Sequence, residues 1–266
     1  MNKLIEKAAS LLQDNRVGLI IGYEEGNRVP RPFFCRKVED TERLILDERC
    51  TNNIAVYLTK TELLGTEVVA VTANLAALRT IVQLASENQL KEDKLIVLTM
   101  NAEGEVIQFI NFEEIALYLA GSPLAISEAN LQLIEDLKKK TREERWSYWM
   151  NEMSKCVKCY ACRAACPLCY CTRCIVEVNC PQWIQPWSTS LSNMEWQINR
   201  VMHMAGRCTG CGACKEACPV GIPLHLMTQS MMEDIRNEFG IAPGSINRIG
   251  NVLSTFKAED KENFIK

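Results

Sequence analysis

The sequence is short of the groups on which acid–base catalysis usually rests. Among 266 residues there are two histidines, His203 and His225. Both fall in helical patterning, where packing or hydrogen bonding is the commoner role. Neither Gly-x-Ser-x-Gly nor His-Glu-x-x-His occurs, so hydrolase chemistry of those kinds has no support. No Gly-x-Gly-x-x-Gly and no Gly-Lys-Ser/Thr stands between a strand and a helix, which removes the ordinary phosphate cradles. No apolar run nears the ~18 residues that span a bilayer; the best, Val17 to Ile21 and Leu95 to Leu98, are of strand length. Positive charge is not in surplus: 30 Lys and Arg face 33 Asp and Glu, a net charge of −3. A nucleic-acid partner, which needs a basic face, is therefore not expected. The opening Met1-Asn2-Lys3-Leu4-Ile5-Glu6-Lys7 puts charges where a secretory signal carries its apolar region, so a cytoplasmic location is expected.

An apolar fraction of 47% and a charged fraction of 24% are those of an ordinary globular chain, and the length suits about two domains at ~150 residues each. The unusual residue is cysteine. Of fourteen, only Cys35 and Cys50 precede residue 156; the other twelve lie between Cys156 and Cys218. All five tryptophans, Trp146, Trp149, Trp183, Trp187 and Trp196, share the second half. Clustered thiols in a reducing compartment point to metal rather than disulfides. The composition shift divides the chain into an α/β docking or scaffold domain (1–140), a helical domain (141–240) and a tail (241–266).

In the first half, Leu4, Ile5, Ala8, Leu11 and Leu12 recur at helical spacing. Val17 to Tyr23, Glu67 to Val71 and Lys94 to Leu98 read as buried strands, separated by a polar loop up to Pro30 and Pro32 and by a helix from Asn74 to Leu90. Continuous apolar strands joined through a helix predict a parallel sheet covered on both faces. Val106 to Ile110 is an edge strand, followed by a helix from Phe112 to Leu119. The turn Thr72-Ala73-Asn74 reads as a plain helix cap. In the second half, Thr141 with Glu144 forms a capping box opening a helix toward Cys156. Further helices are predicted at Ser192 to Met204 and Leu224 to Phe239, the methionines of the latter serving as packing.

The chemistry lies in a repeat. Cys156-x-x-Cys159-x-x-Cys162-x-x-x-Cys166-Pro167 recurs as Cys208-x-x-Cys211-x-x-Cys214-x-x-x-Cys218-Pro219. This is the ferredoxin-type ligand run for a 4Fe–4S cubane. Three thiolates on a compact turn converge on three iron corners, while the fourth lies too far along to reach the same cube. By that rule Cys156, Cys159, Cys162 and Cys218 hold one cluster, and Cys208, Cys211, Cys214 and Cys166 the other. Zinc sites favour two Cys-x-x-Cys pairs separated by a loop, not four thiols in one run. Pro167 and Pro219 stop helix continuation just past each fourth ligand.

Four cysteines remain between the runs: Cys169, Cys171, Cys174 and Cys180. They are candidates for a third metal centre, iron–sulfur before zinc; the alternative is that some are buried small apolar groups. Cys35 and Cys50 read as structural. Arg163, Arg173 and Arg207 beside the ligand runs would raise a cluster's potential, meet an acidic partner, or be plain solvated charges.

At these residues the chain resembles a known family. Glu144-Arg145-Trp146-Ser147-Tyr148-Trp149, Lys155-Cys156-Val157-Lys158-Cys159-Tyr160-Ala161-Cys162 and Cys166-Pro167-Leu168-Cys169-Tyr170-Cys171 are similar to iron–sulfur subunits related to the β subunits of deazaflavin-dependent hydrogenases and formate dehydrogenases. Pro181-Gln182-Trp183 and Met202 to Cys208 fit the same family. The second run with Gly221-Ile222-Pro223 resembles the helical dicluster ferredoxin domain of heterodisulfide-reductase-type subunits. Asp47 to Leu58 and Glu87-Asn88-Gln89-Leu90 extend the likeness into the first half. Where relatives carry Lys-Gly-Cys-Asp ahead of an arginine, this chain has Asn74-Leu75-Ala76-Ala77-Leu78-Arg79, so a cysteine role at that turn is lost.

The resemblance implies an electron-transfer subunit of a hetero-oligomeric oxidoreductase of an anaerobe (a hydrogenase, formate dehydrogenase or heterodisulfide-reductase-like complex) that relays electrons between redox sites of partner subunits, a flavoprotein among them. The expected fold is an α/β amino-terminal domain followed by a mainly helical ferredoxin-like domain with two 4Fe–4S clusters, or three if the middle cysteines also bind metal. No catalytic residue is assigned. The alternative is an oxidoreductase subunit holding FAD or FMN in its amino-terminal domain, for which the residues give no positive sign.

Overall fold

Three apolar runs with no polar face form the middle of a five-stranded sheet. A computed structural model describes residues 2–122, 124–240 and 242–244. The chain divides into two compact units, one through Ser122 and one from Leu124, with Gly244 belonging to the first.

In the first unit, α1 (Asn2–Gln13) precedes β1 (Leu19–Glu24) and β2 (Arg31–Cys35); the one-turn helix α2 (Thr61–Leu64) leads to β3 (Val69–Thr72), α3 (Leu75–Ser86), β4 (Leu95–Met100), β5 (Val106–Phe109) and α4 (Phe112–Ala120). The strand order is β2-β1-β3-β4-β5. The three central strands are parallel, with Ile20 opposite Ala70 and Ala70 opposite Ile96. Every residue of β1 and β3 is buried, the mark of a sheet covered on both faces. Both edge strands run antiparallel. The expected α/β architecture is thus present, with one correction. The segment taken as loop up to Pro32 enters the sheet as β2, its Pro32 opposite Tyr23. An edge strand tolerates proline because an N–H facing outward needs no partner.

Gly22 is fixed by close approach: a Cβ there would meet Leu44 Cδ2 at 2.6 Å and Thr72 Oγ1 at 2.8 Å. The Thr72–Asn74 turn is the cap that the sequence suggests. Asn74 Oδ1 accepts from Ala77 N at 2.9 Å, while its Nδ2 donates to the Cys50 carbonyl at 2.6 Å. Cys35 and Cys50 are buried in the core, and burial pushes the Cys50 thiol up to about 11. A thiol so raised is protonated at neutral pH, as a structural cysteine is. Arg79, the arginine of the turn that departs from the family pattern, is buried and donates to the Ser122 carbonyl.

The second unit is helical: α5 (Glu128–Lys139), α6 (Arg142–Ser154), α7 (Ala161–Ala164), α8 (Ile175–Val178), α9 (Ser190–His203), α10 (Ala213–Glu216) and α11 (Leu224–Phe239). The capping box opening α6 forms: Thr141 Oγ1 accepts from Glu144 N at 3.2 Å, and Glu144 Oε2 accepts from Thr141 N at 2.8 Å. Gly240, at φ 69°, ends α11 in the left-handed region that glycine enters without strain. The unit begins ahead of the boundary expected at residue 140, because Ile134 of α5 buries itself with Ile126 against Leu226 and Met232. The methionine stripe of α11 is packing, as its spacing suggests. A second core gathers Met153, Ile184, Met194, Trp196, Ile222 and Leu224 beside Cys162 and Cys214. Apart from residues 242–244, the tail 241–266 lies outside the described residues.

Candidate metal centre

The two cysteine runs adopt the same backbone. Lys158 and Tyr160 in the first have φ of 51° and 59°; Gly210 and Gly212, at the same places in the second, have 68° and 74°. In each run the amide two residues past the first cysteine turns back onto its sulfur: Lys158 N donates to Cys156 Sγ at 3.4 Å, and Gly210 N to Cys208 Sγ at 3.4 Å. Amides aimed at sulfur favour the thiolate. A side chain in the left-handed region costs about 1–2 kcal/mol, and the first run offsets this with contacts that glycine lacks. Lys158 Nζ reaches Ser192 Oγ at 3.0 Å and the Gln185 carbonyl. The Tyr160 ring packs edge-on to Trp196 with centroids 4.9 Å apart. A one-turn helix lies inside each run, α7 or α10, and carries the third cysteine.

The sulfurs gather across the runs. Burial pushes the Cys156 thiol up, and the charges of Cys162, Cys218 and Cys159 add to the effect. Cys162 is likewise raised by burial, with Cys218 and Cys159 among its neighbours. Cys166, Cys208, Cys211 and Cys214 line one small cavity. Burial pushes Cys208 up to about 12, with Cys211, Cys214 and Cys166 contributing. Each run's fourth cysteine thus stands with the first three of the other run.

One helix serves both groups. Asn193, Gln197 and Arg200 sit at i, i+4 and i+7 on α9, and all three are buried. Asn193 Nδ2 donates to the Met153 and Cys156 carbonyls at 3.0 Å each. Gln197 Nε2 approaches Cys162 Sγ at 3.7 Å. Arg200 donates from Nη2 to the Cys162 carbonyl at 3.1 Å, and its Nη1 lies 3.4 Å from Gln197 Oε1. Spacing alone missed this stripe, though the i, i+4, i+7 pattern was its one available signal. Two of the three arginines singled out beside the runs are otherwise engaged. Arg163 pairs with Glu177 at 2.7 Å, and Arg207 lies over the Tyr170 ring and bonds the Leu168 carbonyl at 3.2 Å.

Of the four middle cysteines, Cys169, Cys171 and Cys174 line a second cavity of about 390 Å³ together with Arg163, Arg173, Arg200 and Arg207. Cys180 is exposed and does not belong to that lining. Cys169 also faces Cys166, and hydrogen bonding between the two thiols lowers Cys166 and raises Cys169.

The residues fit an iron–sulfur cluster by the chemistry of their donors. The donor set is wholly cysteine, the set that iron–sulfur clusters use.

Residues 201–223 match the 4Fe-4S binding domain family. Over 85 residues the chain is 34% identical to the F420-dependent formate dehydrogenase subunit beta of Methanocaldococcus jannaschii, a match covering 32% of this chain and 22% of that protein. The chain therefore spans about a fifth of that relative's length. No described helix is long and apolar enough to cross a membrane. With the repeated cysteine run, the family match supports 4Fe–4S binding in the helical unit, and the chain is similar over that stretch to the formate dehydrogenase subunit.

Proposed function

We propose that the chain is the electron-transfer subunit of a multi-subunit oxidoreductase of the hydrogenase, formate dehydrogenase or heterodisulfide-reductase kind, carrying two 4Fe–4S clusters in its helical unit. The observation that carries this reading is the exchange of fourth cysteines. Cys156, Cys159, Cys162 and Cys218 hold one cluster, and Cys208, Cys211, Cys214 and Cys166 the other. Crossed ligation makes the two centres neighbours, as a relay requires. Bound clusters take up and release single electrons at potentials from about −700 to +450 mV, depending on charge, hydrogen bonds and exposure.

This chain's own residues supply the setting. The amides of Lys158 and Gly210 point at sulfur, as does that of Ile222, 3.4 Å from Cys218 Sγ. The apolar core around Met153, Ile184 and Trp196 keeps water away from Cys162 and Cys214. No proton transfer is needed, and the buried α9 side chains that touch the ligand residues are two amides, Asn193 and Gln197, and Arg200. Its partners are redox subunits, a flavoprotein among them, in the cytoplasm of an anaerobe.

Chemical analysis of anaerobically prepared protein tests the reading. About eight iron and eight acid-labile sulfide per chain are expected for two cubanes, with no flavin released by acid. Zinc without sulfide contradicts the proposal, and a stoichiometric flavin would make the chain a flavoprotein instead. Twelve iron would add a third cluster at the cavity of Cys169, Cys171 and Cys174.

A further inference from the structure

A guanidinium is costly to bury unless an anion or several acceptors meet it. Arg200 is 5% exposed. Its Nε is buried with no oxygen or nitrogen partner, its oxygen acceptors are the neutral Cys162 carbonyl and Gln197 side chain, and its guanidinium otherwise meets the thiols of Cys166, Cys169 and Cys214. Among the described residues no carboxylate forms an ion pair with it. It lines one cavity with Cys166, Cys208, Cys211 and Cys214 of the second group and another with Cys169, and its guanidinium bonds the carbonyl of Cys162 of the first. Protein groups alone thus leave a buried cation unbalanced, in the one place where ligand thiolates of two clusters would converge.

From this arrangement, and resting on the two-cluster reading above, we propose that Arg200 is the shared counter-ion of both cofactor sites, offsetting the negative charge of the two clusters together and setting both reduction potentials. The position on α9 supports a shared role. Helix spacing puts Arg200 one turn beyond Gln197, which touches Cys162 Sγ, and one turn before Met204, whose Sδ lies 4.0 Å from Cys166 Sγ. The residue therefore lies between the first group and the second along one helix face. A cation there favours the reduced, more negative state of each cluster and so raises its potential.

The test is an EPR-monitored potentiometric titration of the full chain, with dithionite as reductant, comparing wild type with Arg200→Gln and Arg200→Lys. Iron and sulfide content of the wild type, measured first, separates a failure of the cluster assignment from a failure of this proposal. In Arg200→Gln both midpoint potentials are expected to fall, while Arg200→Lys, which keeps the charge, stays near wild type. If Arg200→Gln fails to take up iron and Arg200→Lys loads fully, the need for charge is shown by assembly itself. Unchanged potentials in a fully loaded Arg200→Gln overturn the proposal. A shift in one cluster only overturns the shared role, and loss of iron in both variants makes the residue a matter of packing instead.

Discussion

Met204 Sδ lies 4.0 Å from Cys166 Sγ, and both line the cavity that also holds Cys208, Cys211 and Cys214. Cys166 belongs to the first run by sequence and to the second group by position. Replacing Cys166 with serine should alter the EPR signal of the cluster assigned to Cys208, Cys211 and Cys214 and spare the other. Cys218→Ser should do the reverse. If Cys166→Ser changed only the cluster of its own run, the crossed assignment would be wrong.

Gly212 holds φ 74° with no atom within 4 Å of where a Cβ would sit. A substitution there meets open space, so its cost is backbone strain alone. Gly212→Ala should lower stability by about 1–2 kcal/mol, and Gly212→Asn by less, because asparagine tolerates the left-handed region. Denaturant midpoints of the two variants check this; equal losses would mean that strain is not the cause. Tyr160 at the equivalent place of the first run makes up the difference through its contact with Trp196.

Asn74 joins two segments of the sheet unit, capping α3 with its oxygen and holding the Cys50 carbonyl with its nitrogen. Asn74→Ala removes both. The lost cap is worth about 1 kcal/mol, and the carbonyl left without its partner adds about 1–3 kcal/mol. Asn74→Asp keeps the cap but sets an acceptor-only carboxylate oxygen against the Cys50 carbonyl, so at neutral pH it should cost at least as much as Asn74→Ala, as read by thermal or chemical unfolding.

His225 gives the helical unit an acid sensitivity. Burial holds its imidazole below the ordinary pKa, and nearby Lys215 lowers it further while Glu216 opposes. Its Nε2 meets Asn130 Oδ1 at 3.2 Å, while Nδ1 is buried without a partner. The unfolded chain, with a histidine pKa of about 6.5, binds more protons than the folded one, so stability rises with pH through that window. The contribution is whole above about pH 6.5 and is lost as pH falls toward the folded pKa. Melting midpoints of wild type and His225→Gln, compared from about pH 7.5 to 5.5, should diverge from their neutral-pH difference as acid is added, the wild type falling faster. Parallel curves would show that His225 does not titrate in this way.

The sheet was legible because its three central strands are continuous apolar runs, and helices α3, α4, α6, α9 and α11 because their periodicity and caps agree. Strand β2 was hidden by Pro30 and Pro32, which read as loop and are tolerated only because the strand is an edge. The boundary moved ahead of residue 140 because α5 is highly charged at its end, which looks like a linker, while its single buried Ile134 packs against Leu226 and Met232. The eight run cysteines stand out in the sequence because each run is a local repeat of fixed spacing. Arg200 could not. It lies on a helix that also carries Glu195 and Asn199, and polar residues all around a helix do not reveal which of them face inward. Its role comes from elements far apart in sequence that meet only in the fold.

The claim on which the account rests is that two cubanes share neighbouring sites built from exchanged cysteines. Low-temperature EPR of the anaerobic, dithionite-reduced chain tests it directly. The account predicts two cluster signals broadened by mutual magnetic coupling. A silent spectrum, or two signals with no sign of interaction, would contradict it.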